Sequence, residues 1–187
     1  GVPRSHPDYF SLVLCNAILG GLFNSRINMN LREDKGYTYG AGSSFEFLKS
    51  SGAFYVASAV RSDVTQQSIQ EILKEIERMQ TEDVTSEELE NAKNRYALSL
   101  PSMFQTVRNM ASMLSLLFVH QLPTNYYQLL PEKLRAVSVE DIRRVAGTHF
   151  RKEQLSFIVV GDRDKVKDPL SQLGRTIREI DLMADAL

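Results

Sequence analysis

The sequence predicts an α+β domain: a mixed, largely antiparallel sheet covered by a layer of helices. Three observations predict it. Two segments rich in β-branched, aromatic and small residues flank a short polar turn, amphipathic helical patterns follow them, and an apolar strand-like run appears only near the end. That late strand must return across the helices to reach the sheet, an order that fits an α+β layer better than a doubly wound fold.

After Pro3 and Pro7, residues Asp8 to Leu19 form the first helix, apolar on most faces through Phe10, Leu12, Val13, Leu14, Ala17, Ile18 and Leu19. Such a helix is buried on more than one side. Gly20 and Gly21 end it. A second short helix, capped by Ser25, runs through Ile27, Met29 and Leu31, with Arg32 at or just past its end. Gly36 then permits a sharp change of direction. GYTYGAGSSFEFL and GAFYVASAV read as two strands joined around Lys49 to Gly52, where LKSSG supplies turn residues. Gly40 and Gly42 within the first strand mark a bulge or a close approach by another backbone, a packed helix being the simpler neighbour and a peptide ligand the other.

Val64 to Gln80 places Ile69, Ile72, Leu73, Ile76 and Met79 at helical spacing for a sheet-covering helix. Thr85 and Glu88 fit a capping box that starts the next helix, which runs toward Leu100 before Pro101 breaks it. Phe104 to His120 is long and apolar, with Met103, Met110, Met113, Leu114, Leu117 and Phe118 expected on an inward, core-packing side. Asn125 to Leu134 forms a further helix, and Ser138 with Asp141 caps the one after it. QLSFIVVGD closes the pattern as a buried strand ending at Gly161, and RTIREIDLMADAL is either a short helix or a terminus that orders only in context.

Composition excludes several classes of function. The 187 residues suit one domain, with 43% hydrophobic and 24% charged side chains as in ordinary globular proteins. Lys plus Arg total 22 against 23 acidic residues, so there is no net positive charge to draw nucleic acid and no basic arm to concentrate it. Apolar runs such as Ala111 to Val119 fall short of the roughly 20 residues of a membrane span. Cys15 lies in an apolar helical pattern and is expected to pack rather than react.

The chemistry-bearing residues are sparse. His6, His120 and His149 have no second ligand at His-x-x-Glu-His spacing, so no metal site within this chain is expected, and His149 reads as a helix-end residue favoured by the dipole. GAGSS lacks the Gly-x-Ser-x-Gly context, and GGLFNSR lacks the lysine of a phosphate loop. In LREDKGYTYGAGSSF, however, Arg32 and Tyr39 stand seven residues apart at the entrance to a strand. Brought together, a guanidinium and a phenol donate hydrogen bonds to a carbonyl or to the oxyanion it becomes. The competing account pairs Arg32 with Glu33 or Asp34 at the surface and buries Tyr39 in the core.

GGLFNSRINMNLREDKGYTYGAGSS resembles the start of the second homologous domain of pitrilysin/insulinase-family zinc peptidases, near the branch of mitochondrial processing peptidase and its bacterial relatives. Gly20, Gly21, Ser25, Arg26, Leu31, Arg32, Glu33, Gly36 and Tyr39 carry the likeness, which continues through TSEELENAKNRYALSL and SVEDIRRVAGTHF to FIVVGD. The resemblance implies a half-clamshell domain facing a zinc-bearing N-terminal domain or homologous subunit. It implies that residues 1–187 form one domain, the C-terminal half of a two-domain peptidase whose upstream sequence is missing. Arg32 and Tyr39 would be its catalytic contribution, with Gly40 beside them against a peptide or protein substrate, while zinc stays in the other half. Tyr37 and Thr38 depart from the small aliphatic pair common in relatives, which puts Tyr37 in competition with Tyr39; spacing favours Tyr39. The isolated chain is then expected to be inactive and open to homodimerisation, in a soluble bacterial setting, cytoplasmic or periplasmic. A non-catalytic subunit or peptide-binding scaffold of the same fold is the alternative.

Overall fold

The first helix is apolar on nearly every face because it is enclosed on nearly every face. The computed structural model describes residues 1–180, and in it α1 (Tyr9–Asn16) continues through a wider π-helical turn, Ala17–Gly21. Helix α7 (Val139–His149) packs on one side of this segment and strand β1 (Thr38–Phe45) on the other. Leu12, Leu14, Cys15, Ala17 and Leu19 are fully buried between them. Burial pushes the Cys15 thiol up from its ordinary value, so it stays protonated and packs, as its context predicts.

Contact with β1 is backbone on backbone. A Cβ on Gly20 would stand 2.4 Å from Ser43 Oγ and 2.6 Å from Ser43 N, and a Cβ on Gly42 would stand 3.0 Å from the Gly20 carbonyl. Asn16 fixes the approach: its Nδ2 donates to the Ser43 carbonyl at 3.1 Å, and Ser43 Oγ donates to Asn16 Oδ1 at 2.7 Å. Of the two neighbours considered for Gly42, the packed helix is the one present.

A single turn, α2 (Arg26–Asn28), and a second π-helical turn, Met29–Asp34, lead to the hairpin. Ser25 occupies the cap position of α2, but its side chain makes no capping bond. Gly36 turns the chain at φ +61°, a conformation glycine adopts at little cost. β1 then pairs antiparallel with β2 (Phe54–Val60), with Phe45 opposite Phe54. Phe45, Phe54 and Phe150 form an aromatic cluster, with ring centroids 4.8 to 5.8 Å apart, that fastens the closed end of the hairpin to the end of α7.

Helices α3 (Thr65–Thr81), α4 (Ser86–Ser99) and α6 (Tyr126–Arg135) form where expected, but α3 packs mainly on α7 rather than on the sheet. Capping boxes start α4 at Thr85 and Glu88 and α7 at Ser138 and Asp141. Glu88 also takes Arg26 in a two-pronged ion pair, at 2.6 and 2.9 Å. Partial burial alone would raise the Glu88 pKa, but the bonds from Arg26 and from the Thr85 amide outweigh it and hold it below the ordinary 4.5.

Beside the missing Ser25 cap, two larger expectations fail. Helix α5 (Val107–Val119) buries none of its residues, and Phe118 is 88% exposed. Its described ties are light, a Tyr127 hydroxyl on the Met113 carbonyl and the contact of Phe104 with Tyr127 beneath the preceding turn. Periodicity chooses a helix face, but only a neighbouring element can cover it. Likewise 155–160 pairs with no strand among the described residues, leaving Ile158 92% and Val160 94% exposed. An apolar run is buried only where a ladder receives it. The chain instead forms α8 (Arg163–Ser171), capped by Asp162 and packed on α3, an element the sequence reading lacks. Of the tail, 175–180 is non-helical and 181–187 lies outside the described residues.

Tyr9–Asp34 is the one helical stretch of the described residues long and apolar enough to cross a membrane, and 61% of its apolar window is buried inside the domain. The sequence reading divides this stretch at Gly20 and Gly21; core packing accounts for its composition.

Gly20→Ala is expected to destabilise the domain by about 2 kcal/mol, since the new methyl meets both the Ser43 hydroxyl and the strand backbone at Ser43 N. Chemical denaturation measures it. Glu88→Ala removes a cap and an ion pair together and is expected to cost about 2 kcal/mol. Because the folded pKa of Glu88 is depressed, its contribution is present above pH 4.5 and is lost as pH falls through that lower folded value. Denaturation midpoints of wild type and variant should therefore converge in acid.

Candidate functional site

Arg32 projects from the second π-helical turn, its side chain 36% exposed. Its guanidinium carbon lies 4.6 Å from the centroid of the Phe23 ring, and its Nε is 3.4 Å from Glu33 Oε1. The ion pair anticipated with Glu33 is thus present, but it is exposed and weak. Its support is firmer. Asn30, two residues earlier, donates to Glu71 at 2.9 Å and to Glu75 at 2.8 Å on α3, and the buried Glu75 carboxylate is neutralised by Arg78 at 3.0 Å.

Tyr39 is fully exposed, which removes the account that places it in the core. It sits in a bulge. Ala41 faces Ser58 while Thr38 faces Val60, so β1 carries one residue more than β2 across Tyr39 and Gly40. Thr38 Oγ1 holds the bulge by accepting from the Gly40 amide at 3.0 Å and from Ser58 Oγ at 3.1 Å. The same hydroxyl lies 2.6 Å from the Ala59 carbonyl and 2.8 Å from the Gly40 carbonyl, and donates its one proton to either. Tyr37 is half-buried, with its amide on the Leu31 carbonyl at 2.8 Å and its own carbonyl accepting from Arg61.

One buried side chain spans the two halves of this site. Asn28 donates through Nδ2 to the Phe23 carbonyl at 2.6 Å and accepts through Oδ1 from the Ala41 amide at 3.0 Å. The ring under Arg32 and the strand beyond Tyr39 are therefore set by the same amide. Sequence reading passed over Asn28 because one asparagine in a short helix carries no distinguishing pattern. Two shallow clefts lie elsewhere, one against Ile18, Leu22, Thr85 and Glu88 and another against Leu73, Glu77, Phe157 and Arg175. Arg32 and Tyr39 line neither, and Tyr39 faces open solvent.

Residues 1–96 match the family described as the peptidase M16 inactive domain. The chain belongs to that family. This bears out the resemblance read from Gly20 to Tyr39. The chain is 26% identical over 147 residues to a Bacillus subtilis protein named an uncharacterized zinc protease, YmxG, covering 79% of this chain and 35% of that protein. A Helicobacter pylori protein, named a non-peptidase homolog, is 24% identical over 152 residues, covering 80% of this chain and 35% of its own length. The crystal structure of a peptidase M16 inactive domain from Pseudomonas fluorescens superposes with a TM-score of 0.73 at 25% identity, over 81% of this chain and 36% of that one. A protease from Helicobacter pylori gives 0.70 at 21% identity, over 82% and 37%. This M16 domain thus spans about a third of the length of the curated relatives it matches.

Another constellation escaped the sequence reading. His6, Asp8 and His149 bring three potential metal-ligating atoms within 4.8 Å of one another, although His149 is 141 residues from Asp8. His149 is the last residue of α7, as expected, but it faces Asp8 as well as the helix end.

Asn28→Ala is expected to leave the fold intact while stripping the Ala41 amide of its acceptor. Hydrogen exchange read residue by residue should show Ala41 losing protection, with Phe45 and Val56 unchanged.

Proposed function

We propose that this chain is the C-terminal domain of a zinc-dependent metallopeptidase, positioning peptide substrate and stabilising the tetrahedral intermediate for a zinc-bearing half. The observation that carries this reading is Tyr39, a phenol at full exposure on a strand whose bulge is braced by Thr38, Ser58 and Asn28. A large aromatic side chain that packs on nothing, yet rises from a well-fastened backbone, suits recognition better than stability.

Arg32 would hold the substrate carbonyl, and the Tyr39 hydroxyl would donate to the oxygen as it gains charge. The Arg32 guanidinium lies over Phe23, and the backbone that carries Tyr39 is held by the bulge. Gly40 contributes clearance. Its amide donates to Thr38 Oγ1, its carbonyl lies within reach of the Thr38 and Ser58 hydroxyls, and the space a Cβ would occupy has nothing nearer than Asn28 Oδ1 at 3.9 Å, leaving room for a peptide beside Tyr39. Half-burial of Tyr37 supports Tyr39 as the residue that reaches substrate.

Leu31 to Phe45 offers no imidazole or thiolate, so these residues do not fit a zinc ion. The metal, which would supply the activated water, is assigned to an N-terminal domain or homologous subunit. A second reading, a non-catalytic subunit of the same fold, is favoured by the name non-peptidase homolog carried by the Helicobacter pylori relative.

The test is reconstitution with the zinc-bearing half. Arg32→Ala and Tyr39→Phe should each lower kcat/KM by about 10²-fold without altering zinc content. An assembly without turnover supports the non-catalytic reading. Zinc-dependent cleavage by the isolated 187 residues overturns the assignment of chemistry to the other half.

A further inference from the structure

The closed end of the hairpin carries a different chemistry from the end that bears Tyr39. Tyr9 stacks edge-on against Phe47 with ring centroids 4.6 Å apart, so the start of α1 lies about 25 Å along the strand direction from Tyr39. There His6, Asp8 and His149 converge, with side-chain exposures of 31%, 14% and 13%.

Hydrogen bonds hold this cluster together, and they bring three potential ligand atoms within 4.8 Å of one another. Asp8 Oδ2 lies 2.9 Å from His149 Nε2 and 3.8 Å from His6 Nδ1. His6 Nδ1 accepts the Asp8 amide at 3.1 Å, so it carries a lone pair rather than a proton. A basic nitrogen and a carboxylate oxygen therefore sit close together with no proton between them. These atoms already have hydrogen-bond partners, so a cation would take the place of the Asp8 amide on His6 Nδ1 and of the proton between His149 Nε2 and Asp8 Oδ2, with His149 left in its Nδ1–H form. A tetrahedral zinc ion with bonds of about 2.0 to 2.1 Å holds its ligands roughly 3.4 Å apart; the two separations at Asp8 bracket that spacing, and the His6–His149 pair lies within 4.8 Å.

The surroundings suit a ligand role. Asp8 stands at the start of α1 but makes no capping bond to it, which leaves the carboxylate free to face the histidines. Arg144 holds the other oxygen, Oδ1, at 2.8 Å, and is itself balanced by Asp141 at 3.4 Å. One carboxylate oxygen is thus oriented from behind while the other points at the imidazoles, the arrangement outer partners give to metal ligands. Burial alone would raise the Asp8 pKa, but the bonds from His149 and Arg144 lower it overall, so the ligand is ionised at neutral pH.

We propose that His6, Asp8 and His149 form a binding site for a divalent transition-metal ion, which staples the segment before α1 to the end of α7. Two imidazoles and one carboxylate suit zinc, and the partial exposure of His6 leaves a coordination position for water. The proposal is independent of the role given to Arg32 and Tyr39.

The experiment uses the chain after treatment with a chelator, titrated with zinc by calorimetry and with cobalt by visible absorption. One equivalent should bind, tetrahedral cobalt bands should appear, and zinc should raise the thermal midpoint. His6→Ala should weaken binding by at least about tenfold and abolish the bands, whereas His120→Ala should change neither. His6→Ala is the informative variant, because His149 and Asp8 also carry the Arg144 ion-pair network and their loss can unfold the chain. Equal binding by wild type and His6→Ala, or no binding at one equivalent, overturns the proposal.

Discussion

The approach of Gly20 to Ser43 is the contact on which the rest of the domain depends. The π-helical turn after α1 lies so close to β1 that a single methyl at position 20 would enter the backbone of the strand. Asn16 and Ser43 exchange two hydrogen bonds across the seam, so a buried amide and hydroxyl are satisfied by the same contact that fixes distance and register. From that register follows the depth at which Phe45 meets Phe54 and Phe150, and at the other end the point where β1 must accommodate an extra residue. The bulge that raises Tyr39 into solvent is therefore tied, through the strand, to two glycines and an asparagine that touch nothing beyond the core.

A second set of polar contacts converts this scaffold into a platform. Asn28 and Asn30 lie two residues apart, and each reaches a different element: Asn28 the Phe23 loop and β1, Asn30 the carboxylates of α3. Arg26 reaches α4 through Glu88. Three successive alternate residues thus pin a short, irregular stretch of helix to its neighbours, and Arg32 is carried at its far end. Interior polar groups of this kind do less for net stability than apolar packing would, but they specify one arrangement of the chain. A donor that must meet a developing charge has more use for fixed direction than for extra stability.

Legibility in the sequence followed the range of the interactions. Capping boxes at Thr85 and Ser138, the Gly20 and Gly21 stop, the hairpin turn and the left-handed Gly36 are decided within a few residues, and each was readable. Burial of α5 and of 155–160 depends on what lies opposite, and periodicity contains no information about that. Helix α8 begins in a charged stretch whose apolar face is short, so pattern alone did not separate it from loop. The candidate site divides the same way. Arg32 and Tyr39 were found through a local motif, whereas Asn28 acts through ordinary hydrogen bonds and the meeting of His6, Asp8 and His149 requires the tertiary fold.

Central to the account is that Tyr39 serves the transition state rather than the bound substrate. The most direct measurement compares, in the domain reconstituted with the proposed zinc-bearing half, the affinity of a peptide carrying a tetrahedral phosphinate with that of the planar peptide, in wild type and Tyr39→Phe. The account predicts that the phosphinate loses about 10²-fold in affinity while the planar peptide binds nearly as before. Equal losses for the two ligands, or none for either, would contradict it.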